Sequence, residues 1–137
     1  MTIAYLGLGS NLGDRALNLK LARTQLEALG VLVKRFTSIE ETEPFGVTDQ
    51  PAFLNQVLEI EFAGAPRELL AIAKQVEAAL GRTPTYRWGP RVIDVDILLF
   101  GDLTLAEPDL QIPHPGLHDR AFLRKQLSEL RPDILGS

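Results

Sequence analysis

The 137-residue chain contains no cysteine, which excludes disulfides and thiolate metal sites and agrees with a reducing, cytoplasmic setting. No apolar run approaches the ~18 residues that a membrane span requires. The opening MTIAYLGLGSN lacks a basic segment followed by a long enough apolar stretch, so no signal peptide is expected. A surplus of positive charge is also missing. The net charge is −4, which argues against general nucleic-acid affinity, a property that rests on basic surface. There is no GxxxxGK(S/T) pattern, hence no phosphate-cradling P-loop. Repeats, linkers and low-complexity runs are absent, and the length suits one domain over 1–137 with an adequate core.

What is present is ordinary in bulk, 45% apolar and 23% charged, and uneven in detail. Residues 82–91 carry +3 with no acid, leaving −7 for the rest. Positive charge so localised suits a small anionic ligand better than a long polyanion.

The most informative stretch is RWGPRVIDVDILLF, residues 87–100. It opens as a loop, because Gly89-Pro90 continues neither a helix nor a central strand. It then reads as a strand over 94–100. Side chains alternate along a strand, so Asp94 and Asp96 share one face while Val95, Ile97 and Leu99 share the other. Two carboxylates roughly 7 Å apart at the backbone repel each other on an apolar strand unless a cation or a proton resolves the conflict. Mg2+ takes one or two carboxylates and completes its shell with water and phosphate oxygens. Arg82, Arg87 and Arg91 stand just upstream, so the parts required for phosphoryl-type transfer lie together. Two solvated aspartates at a strand edge are the plain alternative, but the apolar run 97–100 argues for burial on both faces and against an edge position.

Residues 2–8 read as a first strand, followed by a helix capped by Asp14 or Asn11 and stopped at Gly30, with Leu17, Leu21, Ala22, Leu26 and Leu29 as its stripe. A strand over 31–41, a loop over 42–52 and a strand over 53–62 come next. Pro66 opens a second helix that ends at Gly81. After the arginine loop and the aspartate strand, residues 103–106 form a short hairpin partner, 108–115 are irregular, and Asp119 caps a last helix with Leu123, Leu127 and Leu130 inward. The order strand-helix-strand-strand-helix-strand is that of an α+β, ferredoxin-like βαββαβ sandwich, an antiparallel sheet with helices on one face. Leu54, Leu58 and Ile60 then face the helices. Phe53 and Asn55 share the open face with Asp94 and Asp96, and the site belongs there.

Other signals stay open on their own. The glycines of GLGSNLGD fit a tight strand-to-helix turn better than a dinucleotide fingerprint, since Leu12 replaces the last glycine. Trp88 is either a core residue or a ring that stacks on a flat heterocycle. Asn55 offers donors and an acceptor to the edge of an amino-oxo heterocycle, or is a plain strand-end Asn. His114, between two prolines, either completes an anion site with Arg120 or sits on the surface, where His118 is also expected. Glu77 fits the exposed side of the second helix. The loops 42–52 and 82–93 flank the open face, as lids and binding loops do.

Together GSNLGD, the TxPxGxxDQPxFLN run at 42–55, RWGPRVIDVDILLF and PHPGLHDRAF at 113–122 resemble the 6-hydroxymethyl-7,8-dihydropterin pyrophosphokinases. The resemblance covers nearly the whole chain in order. It implies transfer of the β,γ-pyrophosphoryl group of ATP to the pterin hydroxymethyl oxygen, releasing AMP, in folate biosynthesis. It also implies two Mg2+ ions held by Asp94 and Asp96, with ATP as co-substrate. By the same resemblance Thr42, Glu43, Phe45, Phe53, Asn55, Trp88, Asp94 and Phe122 bind the pterin. Glu77, Arg82, Trp88, Arg91, Ile97, His114 and Arg120 line the ATP site, and Arg82, Arg91 and Asp96 are catalytic. Pro115 departs from the tyrosine of some members, and the arginine loop is one residue shorter. The expected partners are the two small substrates, with no nucleic acid and no membrane, acting on a monomer. The competing readings are another Mg-dependent nucleotidyl-transfer enzyme and a non-catalytic ferredoxin-like ligand-binding module.

Overall fold

The computed structural model describes residues 1–43, 52–81 and 92–135. In chain order these form β1 (Thr2–Ser10), α1 (Arg15–Ala28), β2 (Leu32–Phe36), β3 (Glu40–Thr42), β4 (Phe53–Phe62) and α2 (Pro66–Ala79). There follow β5 (Asp94–Phe100), β6 (Leu105–Glu107), β7 (Leu110–Ile112), α3 (Gly116–Asp119), α4 (Ala121–Leu130) and α5 (Pro132–Leu135). The main sheet runs β2-β4-β1-β5, with β3 also paired to β4, and every described pairing is antiparallel.

Both long helices start and stop for local reasons. The Asp14 carboxylate accepts the Leu17 N–H at 3.1 Å, satisfying an orphan donor of the first turn of α1. Gly30 follows the end of α1 with φ 95°, a left-handed conformation that glycine adopts without a Cβ penalty. The buried track of α1 is Leu19, Ala22 and Leu26, whereas Leu17, Leu21 and Leu29 are exposed. That helix face is rotated from the expected stripe, because both tracks satisfy helical spacing and only packing chooses between them. In α2, which begins with Pro66, the inward residues are Leu69, Ala73, Val76 and Glu77.

One core lies between the sheet and these helices. It joins Ala4, Leu6 and Leu8 of β1, Leu58 and Ile60 of β4, and Val95 and Ile97 of β5 to the buried faces of α1 and α2. The opposite face is not wholly open. A second cluster packs Tyr5, Val57 and Leu98 against Leu117, Leu123, Leu127 and Leu130, so α4 covers half of the face expected to be free. The three leucines of the last helix do point inward, as their spacing predicts.

Five further expectations are corrected. The strand over 31–41 breaks at residues 37–39 into β2 and β3. The segment 108–115 contains β7, which pairs with β6 in a hairpin whose acids Glu107 and Asp109 are gripped by Arg67 of α2. Asp119 ends α3, and the N-cap of α4 is Arg120, with no side-chain cap bond. Leu99 sides with α4 rather than with Val95 and Ile97. Its phase changes because the β1–β5 register shifts, pairing Tyr5 with Leu99 but Leu6 with Ile97. Leu98 is thus an extra residue on one strand, a β-bulge, and a single extra residue reverses the alternation beyond it. Finally, among the described residues β5 ends the main sheet order and is an edge strand, against expectation. Its apolar end is nonetheless buried on both faces, Ile97 and Phe100 in one cluster and Leu98 in the other, which is what the run encodes.

A polar hub closes the far end of the α4 side. Tyr5 donates to Glu59 at 2.7 Å, and Arg35 forks onto the same carboxylate at 2.7 and 3.0 Å while reaching the Leu130 carbonyl at 2.8 Å. The Arg35 hydrogen bonds hold Glu59 below its ordinary pKa of 4.5 against the opposing effect of burial. Burial and the bond to Glu59 push the Tyr5 phenol upward.

Candidate active site

The half of the sheet face that α4 leaves uncovered is built row by row. Gly9 of β1 pairs with Asp94 on one side and with Asn55 on the other. Asn55 in turn pairs with Glu40 of β3. Residues paired across strands point to the same face, so Asp94, Gly9, Asn55 and Glu40 form one row. Asp96, Gly7 and Val57 form the next. Phe53 and Thr42, also paired, flank the first row. With strands about 4.8 Å apart, Asp94 and Asn55 stand about 10 Å apart at the backbone, separated only by glycine.

Gly7 lies in the first strand as read, and Gly9 is not the turn residue its sequence context suggested but a second interior residue of that central strand. A Cβ on Gly9 would touch Asn55 Oδ1 and Phe53 Cδ1 at 3.4 Å. A Cβ on Gly7 would touch the Leu98 side chain at the same distance. Together they leave a low shelf between the acid pair and Asn55. The signal was available in the sequence: two glycines two apart in an apolar strand lie on one face.

Asn55 is 7% exposed. Its Nδ2 donates to Thr42 Oγ1 at 2.7 Å and to the Glu40 carbonyl at 3.3 Å, which directs its Oδ1 toward the shelf beside Gly9. Phe122, in the first turn of α4, is half-buried against the second cluster. Glu43 is exposed just past β3. At the start of α1, Arg15 donates to the Ala52 carbonyl at 2.7 Å and pairs with Glu41 at 3.3 Å, tying β3 to the residue just before β4.

The acid pair sits at the sheet edge. The Asp96 side chain is 46% exposed, with His114 Nε2 4.0 Å from its Oδ1. The other ring nitrogen of His114 accepts the Gly116 N–H at 2.9 Å, and its backbone N–H donates to the Leu98 carbonyl at 3.0 Å. With Nδ1 an acceptor, a neutral His114 carries its proton on Nε2, toward Asp96. His118 lies on the surface, as read from the sequence. Glu77 is not on the exposed side of α2: it is 4% exposed. Its Oε2 accepts the Val95 N–H at 3.0 Å and its Oε1 meets Lys74 Nζ at 3.5 Å. A buried carboxylate thus holds the backbone between Asp94 and Asp96. Sequence reasoning missed this, because a glutamate beside Val76 reads as the polar edge of a stripe. Ile97 lies in the main core, so only its main chain is available to a ligand.

No group of three or more His, Cys, Asp or Glu able to hold a metal occurs among the described residues. Two carboxylates, one half-exposed, fit Mg2+, whose remaining positions are filled by water and phosphate. Phe45, Arg82, Arg87, Trp88 and Arg91 lie outside the described residues. No helix among the described residues is long and apolar enough to cross a membrane.

A family model described as 7,8-dihydro-6-hydroxymethylpterin-pyrophosphokinase matches residues 5–132. The protein of Bacillus subtilis (strain 168) named 2-amino-4-hydroxy-6-hydroxymethyldihydropteridine pyrophosphokinase is 44% identical over 129 residues, 93% of this chain and 77% of its own. Its namesake in Methylorubrum extorquens is 43% identical over 136 residues, 98% and 86% of the two chains. The mitochondrial folate synthesis bifunctional protein of Pisum sativum is 41% identical over 91% of this chain, which spans 24% of that protein. The crystal structure of Plasmodium falciparum HPPK-DHPS wild type with SDX-DHP aligns over 94% of this chain and 33% of its own. Its TM-score is 0.57 and its identity 18%, a likeness of fold. With the shelf between an acid pair and an amide in view, and these matches beside it, the chain belongs to the 7,8-dihydro-6-hydroxymethylpterin-pyrophosphokinase family.

Proposed function

We propose that this chain transfers the β,γ-pyrophosphoryl group of ATP to the hydroxymethyl oxygen of 6-hydroxymethyl-7,8-dihydropterin, giving the pterin diphosphate and AMP. The observation that carries this reading is the row Asp94–Gly9–Asn55, which sets a hydrogen-bonding amide at one end of a flat shelf and carboxylates at the other. A planar pterin lies on the glycine, its amino-oxo edge toward Asn55 and Thr42 and its hydroxymethyl arm toward Asp94. Phe53 and Phe122 bound its ring, while Phe45, the Glu43 backbone and Trp88 complete the pocket. The strand order β2-β4-β1-β5, with α1 and α2 on one face, supports a ferredoxin-like sandwich.

In the reaction the hydroxymethyl oxygen forms a bond to the β-phosphorus of ATP as the bond to the α,β-bridging oxygen breaks. AMP leaves with that oxygen, and the hydroxyl proton is lost. Two Mg2+ ions held by Asp94 and Asp96 would draw negative charge off the phosphates. Arg82 and Arg91 offset the charge that develops in the transition state. His114 and Arg120 hold the triphosphate, and the Ile97 main chain meets the nucleotide. Trp88 closes the site against water, limiting hydrolysis of ATP. Glu77 acts from beneath by fixing the Val95 backbone. We place this activity in one domain that works as a cytoplasmic monomer.

The test is a product analysis with ATP, Mg2+ and the pterin. AMP formed one-for-one with pterin diphosphate, and only with all three present, is the expected result. ADP, or released pyrophosphate with a nucleotidylated pterin, would overturn it in favour of a different Mg-dependent transfer.

A further inference from the structure

The core-facing residues of α4 are Leu123, Gln126, Leu127 and Leu130, and Gln126 is the odd member. It is fully buried, and its Oε1 has no hydrogen-bond partner among the described residues. Burying that oxygen without a partner is a cost, offset by the two main-chain carbonyls that its amide hydrogens meet. Its Nε2 is fully used. One hydrogen goes to the Asn55 carbonyl at 3.0 Å and the other to the Ser38 carbonyl at 3.2 Å.

Those two carbonyls belong to the segments that build the pterin end of the shelf. Ser38 lies in the break between β2 and β3, beyond which Thr42 meets the Asn55 side chain. The break is joined to β4 mainly by local bonds: Thr37 N–H to the Val57 carbonyl, Val57 N–H to Thr37 Oγ1, and Gln56 Nε2 to the Thr37 carbonyl. Among the described residues, α4 adds ties from another layer through Gln126 and, at the surface, through Lys125 Nζ, 3.5 Å from Glu40 Oε1. Gln126 also stands four residues after Phe122, on the same face of α4. One buried amide therefore links the helix that carries the Phe122 wall to the backbone of Asn55 and to the strand leading to Thr42.

We infer that Gln126 is a positioning residue for pterin recognition, setting the width of the slot between Phe122 and the Asn55–Thr42 edge. This rests on the reading of Asn55 as the group that meets the pterin. A planar heterocycle held between a ring and an amide edge is sensitive to that width, because misplacement of binding groups by about 1 Å can cost up to two orders of magnitude. ATP, held mainly at the β5 side, meets α4 only through Arg120 at its N-cap, six residues before Gln126, and depends on that width far less.

The experiment compares Gln126→Met, which keeps length and removes the donor, with Leu130→Ala, a core truncation at the far end of the same helix, and with Asn55→Ala. Melting temperature, kcat and the KM for each substrate are measured. For Gln126→Met the expected result is a pterin KM raised about tenfold or more, with ATP KM and saturated kcat within about twofold. Leu130→Ala should lower the melting temperature without changing the ratio of the two KM values. If Gln126→Met leaves that ratio unchanged while Asn55→Ala raises it, the inference is overturned and the site reading stands. If Asn55→Ala leaves it unchanged, the reading of Asn55 falls, and the inference with it. Should the methionine variant not fold, Gln126→Leu answers the same question by the same ratio.

Discussion

Asp96 carries a half-exposed carboxylate two strand positions beyond Asp94, so its removal takes away charge without opening the core. Asp96→Ala should lower kcat by two to three orders of magnitude or more, the loss of an electrostatic group that acts on the transition state. Thermal unfolding should be unchanged or slightly raised, because a like-charge repulsion is relieved. Retained turnover in an AMP-release assay would remove Asp96 from the metal site. Glu77 predicts the reverse balance. Glu77→Leu leaves the buried Val95 N–H without its carboxylate partner, a penalty of about 1–3 kcal/mol visible in denaturant unfolding. It should also raise the Mg2+ concentration needed for half-maximal rate, since the backbone between the two aspartates is released. Glu77→Gln keeps an acceptor oxygen and should recover most of the stability. Equal Mg2+ requirements in all three proteins would restrict Glu77 to a packing role.

At the scale of elements, β1 is the strand on which the proposed pterin site rests, because Gly7 and Gly9 lie between the acid pair and Asn55. Gly9→Val adds methyl groups above Asn55 and Phe53, where a single Cβ is already in contact. Calorimetry should then find pterin binding abolished while binding of a non-hydrolysable ATP analogue persists. Parallel loss of both ligands would mean that the sheet itself had been disturbed. How far the sequence reveals such elements depends on how local their causes are. The cap at Asp14 and the stops at Gly30 and Gly81 are single-residue chemistry, and they stand where the residues put them. So does the common face of Asp94, Asp96, Asn55 and Phe53, which needs only the period of two. The bulge at Leu98 is different: it arises from pairing between distant strands, and nothing within ILLF marks which leucine is extra. The break at 37–39 is equally non-local, held by Gln56 and Gln126. The cover provided by α4 was hidden for a related reason, since a leucine stripe says that a helix is buried but not against which face.

At the scale of the whole molecule, the hub of Tyr5, Glu59 and Arg35 joins β1, β4 and β2 to the end of α4. Glu59 is held below its ordinary pKa of 4.5, so the folded state binds its proton less readily than the unfolded chain. Its contribution is therefore complete above about pH 4.5 and is lost as the pH falls through the lower, folded-state value. Melting temperature measured from pH 7 down to pH 3 should drop in that acid range, and Glu59→Gln should flatten the drop. An unaltered acid limb would assign the acid sensitivity to other carboxylates. The shelf itself has a global consequence. Glycine inside a regular element is less stable than alanine by roughly 0.5–1 kcal/mol, and Gly9 sits mid-sheet with a conformation open to any residue. A library screened for heat resistance alone would drift toward filling that position, and its most robust members would be the ones least able to bind a pterin. On this reading the flat surface over Gly9 is held at a cost in stability that a screen for heat resistance alone would not see.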